Sequence, residues 1–349
     1  AMYIALYNEE QKHVANVTYA TYELTERVYD ADGFSAEGVC EDTTTDTKIA
    51  VLNDDAGNYK YACFTDGITV DGNKQTVKGK DLKTLWDTEV LLDWTTSFNG
   101  KLSAIFQKVK TAVFDGSDTA VNKIPVEVII PTDNTVTTAL FGDYTGQYKI
   151  TNAYKFLKGY LKYYGYNIET KYDVAAGKII FTFAKHTDVL SVNLSDFLYE
   201  LTTTSNAVNK AVATIKGSLG SVSQTVYYYI NSDNQIVSST AAGNIQKRVY
   251  PVKTKWFEAE YLADAQTDAI SELANNRYVD NIVIDNSKVR DPIDFAPYPL
   301  YTSVSLYYNG KLYKTLPISE KTTTLSASGE QTKIKLGFKK ILLTEIIKG

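Results

Sequence analysis

Short runs of side chains that alternate between two faces, cut at intervals by Asp, Asn and Gly turns, constrain this chain more than any other feature. Met2, Ile4 and Leu6 face one way and Tyr3, Ala5 and Tyr7 the other. That is the period of two that a strand imposes, whereas a helix repeats its apolar residues every third or fourth position. Further runs at residues 19–28, 34–40, 48–52, 59–65, 67–71 and 75–77 are separated by turn strings such as Asp30-Ala31-Asp32-Gly33, Asp55-Ala56-Gly57-Asn58 and Asp71-Gly72-Asn73. Strands at this spacing predict a barrel or sandwich. The 27 Tyr and 13 Phe beside a single Met agree, because aromatic side chains suit a pleated, half-buried surface.

The period changes beyond residue 80. A short helical stretch at 80–85 is followed by residues 101–114, where Leu102, Ile105, Phe106, Val109 and Val113 share one helical face. Residues 126–130 form an apolar strand, 152–164 a helix through Phe156, Leu157, Tyr160, Leu161 and Tyr164, and 167–172 and 178–184 two more strands. This part reads as α+β. Strands return at 211–216, 222–230 and 236–239, the last two as a hairpin, and residues 256–275 read as the longest helix, with Glu258 and Glu260 in its first turn where the helix dipole favours acids. Residues 290–299 carry three of the seven prolines and form a connector. Strands follow at 281–284, 303–308, 311–315, 333–338 and 341–348, and Asn309-Gly310 marks a tight hairpin because both residues tolerate positive φ. With 349 residues, the chain divides into an N-terminal β-barrel-like domain (1–97), an inserted α+β domain with its connecting helix (98–205) and a second β-rich domain with the long helix 256–275 (206–349). The expected fold is therefore mainly β with an α+β insertion.

Charge and composition remove several classes of function. The 36 basic and 41 acidic residues leave a net charge of -5 with no basic block, which disfavours stable nucleic-acid binding. No run of eighteen apolar residues exists, so membrane insertion is not expected, and residues 2–7 lack the charged head and apolar core of a signal peptide. Ala1 ahead of Met2 reads as the remnant of an expression tag, with Met2 the natural start and synthesis in the cytoplasm. Cys40 and Cys63, placed on strands that could be neighbours, are expected as two buried, reduced thiols. The two histidines, His13 and His186, lie far from either, so a Cys/His zinc site is not expected.

Catalytic motifs are missing as well. There is no GxGxxG or GxxxxGK[ST] phosphate cradle, and Gly217-Ser218-Leu219-Gly220 has the wrong spacing for a nucleophile elbow and reads as a turn. Asp30-Ala31-Asp32-Gly33 with Glu41 is a poor calcium loop, since its glycine comes two places early and Phe34 takes a ligand position. His186 beside Asp188 is read as a strand-end histidine rather than half a triad, and His13 as part of a solvated hairpin loop. The acids Glu37, Glu41, Glu258 and Glu260 read as surface carboxylates, although a fold could bring two together for glycoside hydrolysis. The clusters Tyr160, Tyr163, Tyr164, Tyr166 and Tyr227, Tyr228, Tyr229 could stack on sugars, but core packing and subunit interfaces are the favoured reading. No catalytic, cofactor-binding or metal-binding residue is assigned, and no cofactor is expected.

Several strings, taken in order, resemble the hub proteins of siphophage and prophage tail tips. They are Tyr22-Glu23-Leu24-Thr25-Glu26-Arg27 through Asp32-Gly33-Phe34, then Val77-Lys78-Gly79-Lys80-Asp81-Leu82 ahead of a short helix, then Ser205-Asn206-Ala207-Val208-Asn209. The helix ending near Asn275, followed by Arg277-Tyr278 and residues 281–284, continues the resemblance, and so does the close from Tyr313 to Ser319 and Gly337 to Thr344. It implies β-barrel-like domains of the tail-hub type and a non-enzymatic homotrimer at the virion tail tip. In that role the chain joins the tail tube to the distal tip, with a distal tail protein, tape measure and tip fibre as partners. The competing functions are a receptor- or glycan-binding tip protein and a cell-wall hydrolase.

Overall fold

The computed structural model describes residues 2–40, 46–94, 101–115, 124–136, 147–185, 188–203, 208–217, 224–230, 236–238, 253–276, 280–285 and 293–337. The first six strands are β1 (Tyr3–Tyr7), β2 (His13–Arg27), β3 (Gly33–Val39), β4 (Ile49–Asn53), β5 (Tyr59–Asp71) and β6 (Lys74–Lys80). They pair antiparallel in the order β1-β4-β5-β6-β3-β2, and β2 returns to β1, so the ring is closed. Closure leaves no free edge among these strands. Ile4, Leu6, Val17, Ala36 and Val77 fill the interior. β4 is buried along its whole length because its two faces serve different cores: Ala50 and Leu52 point into the barrel, Ile49 and Val51 into the adjoining α/β unit. The stretches expected as strands at 59–65 and 67–71 form one strand, β5, whose pairing register slips between Thr65 and Gly67. Cys40 and Cys63 are both buried thiols, but they are not on adjacent strands: Cys40 lies just past the end of β3, Cys63 is on β5, and β6 lies between β3 and β5.

A 3₁₀ turn at Leu82–Trp86 leads into β7 (Glu89–Trp94), α1 (Leu102–Phe114), β8 (Val126–Ile129), β9 (Gln147–Asn152), α2 (Ala153–Tyr164), β10 (Asn167–Asp173) and β11 (Lys178–Ala184). β10 and β11 form a hairpin joined by the parallel strand β8, and β7 pairs with β9. The apolar face expected on the first helix is the buried face of α1. Asn152 caps α2 by accepting from the Lys155 N–H at 3.0 Å, and Gly165 ends it at φ 76°, a left-handed conformation that glycine adopts without a Cβ clash.

Beyond these lie β12 (Val189–Asn193), β13 (Leu198–Thr203), β14 (Lys210–Ile215), β15 (Thr225–Ile230), β16 (Ile236–Val237), β17 (Thr254–Ala259), α3 (Leu262–Asn276), β18 (Asp280–Asp285), β19 (Ser303–Tyr308), β20 (Lys311–Ser326) and β21 (Gly329–Gly337). Six of them run in the order β12-β19-β20-β21-β18-β13 around a core of Val192, Phe197, Ile282, Phe295, Val304 and Ile334. The end strands β12 and β13 are joined by a single 3₁₀ turn, Leu194–Asp196, so this sheet curls toward a second barrel. Asn309 and Gly310, at φ 49° and 73°, make the expected two-residue hairpin between β19 and β20. A separate sheet, β16-β15-β14-β17, is covered on one face by α3.

The helix expected at 256–275 begins only at Leu262. Residues 254–259 are instead strand β17, parallel to β14, with Trp256 opposite Val212. Six residues of sheet pairing outweigh a marginal helical pattern that contains Trp256 and Phe257, both more at home in strands. The acid in the first turn is Asp264 rather than Glu258 or Glu260. The stretch expected as a strand at 341–348 lies outside the described residues.

Candidate functional site: a charged seam between two barrels

The closed first barrel and the curled second sheet, an open barrel, share one hydrogen-bonded seam. β2 keeps β3 on one side through Thr25 while, past the end of its pairing with β1, its other side pairs with β20 from Tyr22 opposite Leu325 to Arg27 opposite Glu320, and the Val28 N–H continues to the Ser319 carbonyl at 3.0 Å. Two cross-strand positions carry opposite charges: Glu26 faces Lys321, and Arg27 lies 3.6 Å from Glu320.

Behind this seam is an ionic cluster assembled by the turn after β6. Asp81 caps that turn, accepting from the Lys83 N–H at 2.9 Å and the Asp32 N–H at 2.8 Å, and so locks the turns following β2 and β6 together. Lys83 folds back into the interior. Its ammonium donates to the Arg27 carbonyl at 2.8 Å and the Asp30 carbonyl at 3.2 Å, and lies 3.4 Å from both Asp32 and Asp81. Asp32 also accepts from the Arg27 N–H at 2.8 Å and the Tyr61 hydroxyl at 3.2 Å. On the other side, Lys321 donates to the carbonyls of Phe295 at 3.4 Å and Tyr298 at 3.0 Å, fastening the proline-rich connector to β20.

Burial dominates the electrostatics. It pushes the Asp32 carboxyl up to about 7 against the pull of Lys83, with Asp81 and Glu26 adding to the rise. It raises Glu26 as well, against Lys321 and Lys83. Desolvation opposes the Lys83 charge, yet Asp32, Tyr154 and Asp81 hold the ammonium above its ordinary range. The cluster is thus a lysine held charged between Asp32 and Asp81, with burial keeping the Asp32 and Glu26 carboxyls above the usual carboxylate range. It has the character of a structural lock, because the lysine is held charged and its donors are taken by carbonyls and carboxylates.

Glu26, Asp32 and Asp81 stand in the strings that carry the resemblance, but no local signal in the sequence marks them, Lys83 and Lys321 as a group. Lys321 was detectable in principle as a charged residue amid the buried run Leu316, Ile318 and Ser319. The carboxylates weighed for hydrolysis are dispersed: Glu37 pairs with Lys74 on the first barrel and Glu258 lies on β17, while Glu41 is outside the described residues. His13 opens β2 and bonds Asn16, and His186 lies outside the described residues, as do Ser218 to Gly220. Asp30 to Gly33 form the turn just described. Among the described residues no cluster of His, Cys, Asp and Glu has metal-site geometry. No described helix is long and apolar enough to cross a membrane.

The tyrosines divide. Tyr160 and Tyr166 are buried with the core of α1 and α2, and Tyr228 is buried with its hydroxyl accepting from Gln266 on α3 at 3.0 Å. Tyr227 is partly exposed and meets Trp256 edge-on at 6.4 Å, with Lys210 5.1 Å from its ring centre.

No family model and no curated protein matches the sequence. Solved structures do match the fold over nearly its whole length. The 43 kDa tail protein of prophage MuSo2 from Shewanella oneidensis aligns with a TM-score of 0.57 at 13% identity, covering 99% of this chain and 98% of that one. The tail protein from Neisseria meningitidis gives 0.55 at 12%, with the same coverage. Prophage tail protein gp18 from Listeria monocytogenes gives 0.53 at 10%, covering 99% and 97%. The chain therefore has the fold of phage and prophage tail proteins.

Proposed function

We propose that this chain is a structural hub component of a phage or prophage tail tip, joining the tail tube to the distal tip as a homotrimer. The observation that carries the proposal is the continuity of the two barrels. β2 and β20 are 15 and 16 residues long and each belongs to both a barrel and the seam, so a load applied to one barrel reaches the other through backbone hydrogen bonds. We keep the division at 1–97, 98–205 and 206–349 as part of the proposal, with strand pairs crossing each boundary: β7 with β9, β13 with β18, and β2 with β20.

Function of this kind resides in shape and stiffness, with no reaction to perform. The partners we assign are a distal tail protein, a tape measure and a tip fibre, at the virion tail tip. A trimer needs a heterologous contact whose rotation closes. Light scattering across a concentration series tests it: mass rising toward three times 38.8 kDa supports the assignment. A monomer at every concentration that also fails to co-elute with the tail proteins encoded beside it would overturn it.

A further inference from the structure

A convex and a concave apolar surface of this chain face solvent. The convex one is the tip of the β19–β20 hairpin. The barrel core ends at Leu306, which is fully buried, and the hairpin runs on past it through residues 307–313. Around the tight Asn309-Gly310 turn, Tyr308, Leu312 and Tyr313 are 51%, 56% and 45% exposed. Single apolar residues on a surface need no explanation, but three on one tip form a patch, and contiguous patches mark interaction sites.

The concave surface is a groove of about 440 Å³ between β7 and α1, lined mainly by apolar groups of Leu91, Leu92, Ala104 and Ala112. Leu91 is 58% exposed and its cross-strand neighbour on β9, Ile150, is 71% exposed, so the apolar surface runs from the groove onto the β7–β9 ribbon.

The two surfaces carry opposite charge. Glu89, Leu91 and Asp93 alternate along the exposed face of β7, and the run 87–94 holds three acids and no base. Lys108, the one base in the groove lining, donates to the Asp93 carbonyl. In the hairpin Lys311 and Lys314 flank Leu312 and Tyr313, and the run 303–317 holds two bases and no acid. An apolar pair framed by lysines thus matches a leucine framed by carboxylates, in side-chain character and in sign. Both surfaces stand exposed in the single chain, so the match is available between copies. Because hairpin and groove are different surfaces, such a contact is heterologous: each copy offers its hairpin to one neighbour and its groove to the other, as a closed ring requires.

We propose that the hairpin tip at 308–313 of one copy seats in the β7–α1 groove of the next, with Leu312 and Tyr313 against Leu91 and Ile150, and Lys311 toward Glu89 and Asp93. The inference rests on the homotrimer proposed above and names the surfaces that build it.

Light scattering on the full chain across a concentration series tests it with two variants. Leu312→Asp spoils the hairpin and Ile150→Asp the groove, each at a side chain more than half exposed, and an unchanged urea midpoint identifies each variant as folded. Each alone should raise the concentration needed for the trimer at least about tenfold, because a few anchor side chains carry most of an interface's binding energy. Mixed together, the two should form a dimer near twice 38.8 kDa and go no further: the intact hairpin of the second fits the intact groove of the first, and the remaining hairpin and groove are both spoiled. A trimer that persists in either variant overturns the contact and leaves the trimer standing. A mixture that stays monomeric where the wild type is trimeric also overturns the contact. A wild type monomeric at every concentration overturns it together with the chain's own trimerisation.

Discussion

Replacing Lys83 by Met keeps the length and much of the volume of the side chain but removes the cation between Asp32 and Asp81. Four contacts disappear with it: the carbonyls of Arg27 and Asp30 at 2.8 and 3.2 Å, and the two carboxylates at 3.4 Å. Stripping a buried ion pair of one partner costs about 3–5 kcal/mol, since the remaining charge keeps its desolvation penalty and loses its compensation. The loss must depend on pH. In the wild type the Asp32 carboxyl is raised to about 7, so the folded state binds more protons than the unfolded chain between the ordinary carboxylate range and pH 7. Stability from this group is therefore fully present at low pH and declines as pH rises through that window. Without the ammonium, which pulls it down, the Asp32 carboxyl holds its proton more tightly still. The variant should lose about 3–5 kcal/mol at pH 8 and less than half of that at pH 5, where protons substitute for the lysine. Urea unfolding at the two pH values, followed by the shift in midpoint at constant slope, reads this directly. A loss under about 1 kcal/mol at pH 8, or a larger loss at pH 5 than at pH 8, would refute the role assigned to Lys83.

Two further substitutions test the packing that positions the seam. A Cβ at Gly79 would sit 2.5 Å from the Cys63 Sγ and 3.0 Å from Phe34, so Gly79→Ala should destabilise by about 1–3 kcal/mol in thermal unfolding, and adding Cys63→Ala should restore part of it. Asn152→Ala removes the cap of α2 together with a 2.7 Å bond to Asp87, and should cost about 1 kcal/mol with a small fall in helical circular dichroism.

The strands of the first barrel were legible because their alternation is local: Ile4 and Leu6 are fully buried where the period of two placed them. Both helices of the α+β unit were legible for the same reason, as was the Asn309-Gly310 hairpin. The error at 256–259 is equally instructive. Trp256 and Phe257 satisfied a helical pattern, and the competing partner, β14, is some forty residues away in sequence, where no window of local periodicity can see it. The cysteines show the same limit from the other side. Both are buried as expected, but that β6 lies between β3, which ends just before Cys40, and β5, which carries Cys63, is a matter of pairing order.

What the sequence determined by itself was the kind of element at most positions, the polar turns between them and the lack of a recognisable catalytic signature. Each depends on spacing within a few residues. Only the tertiary structure decided that the first six strands close into a ring, that β2 and β20 join two barrels, and that Asp32, Asp81 and Lys83 meet beside Glu26 and Lys321. The contact of Tyr7 with Tyr172 belongs with these, since the two rings come from strands more than a hundred residues apart in the chain and only the packing of the hairpin against the barrel brings them together.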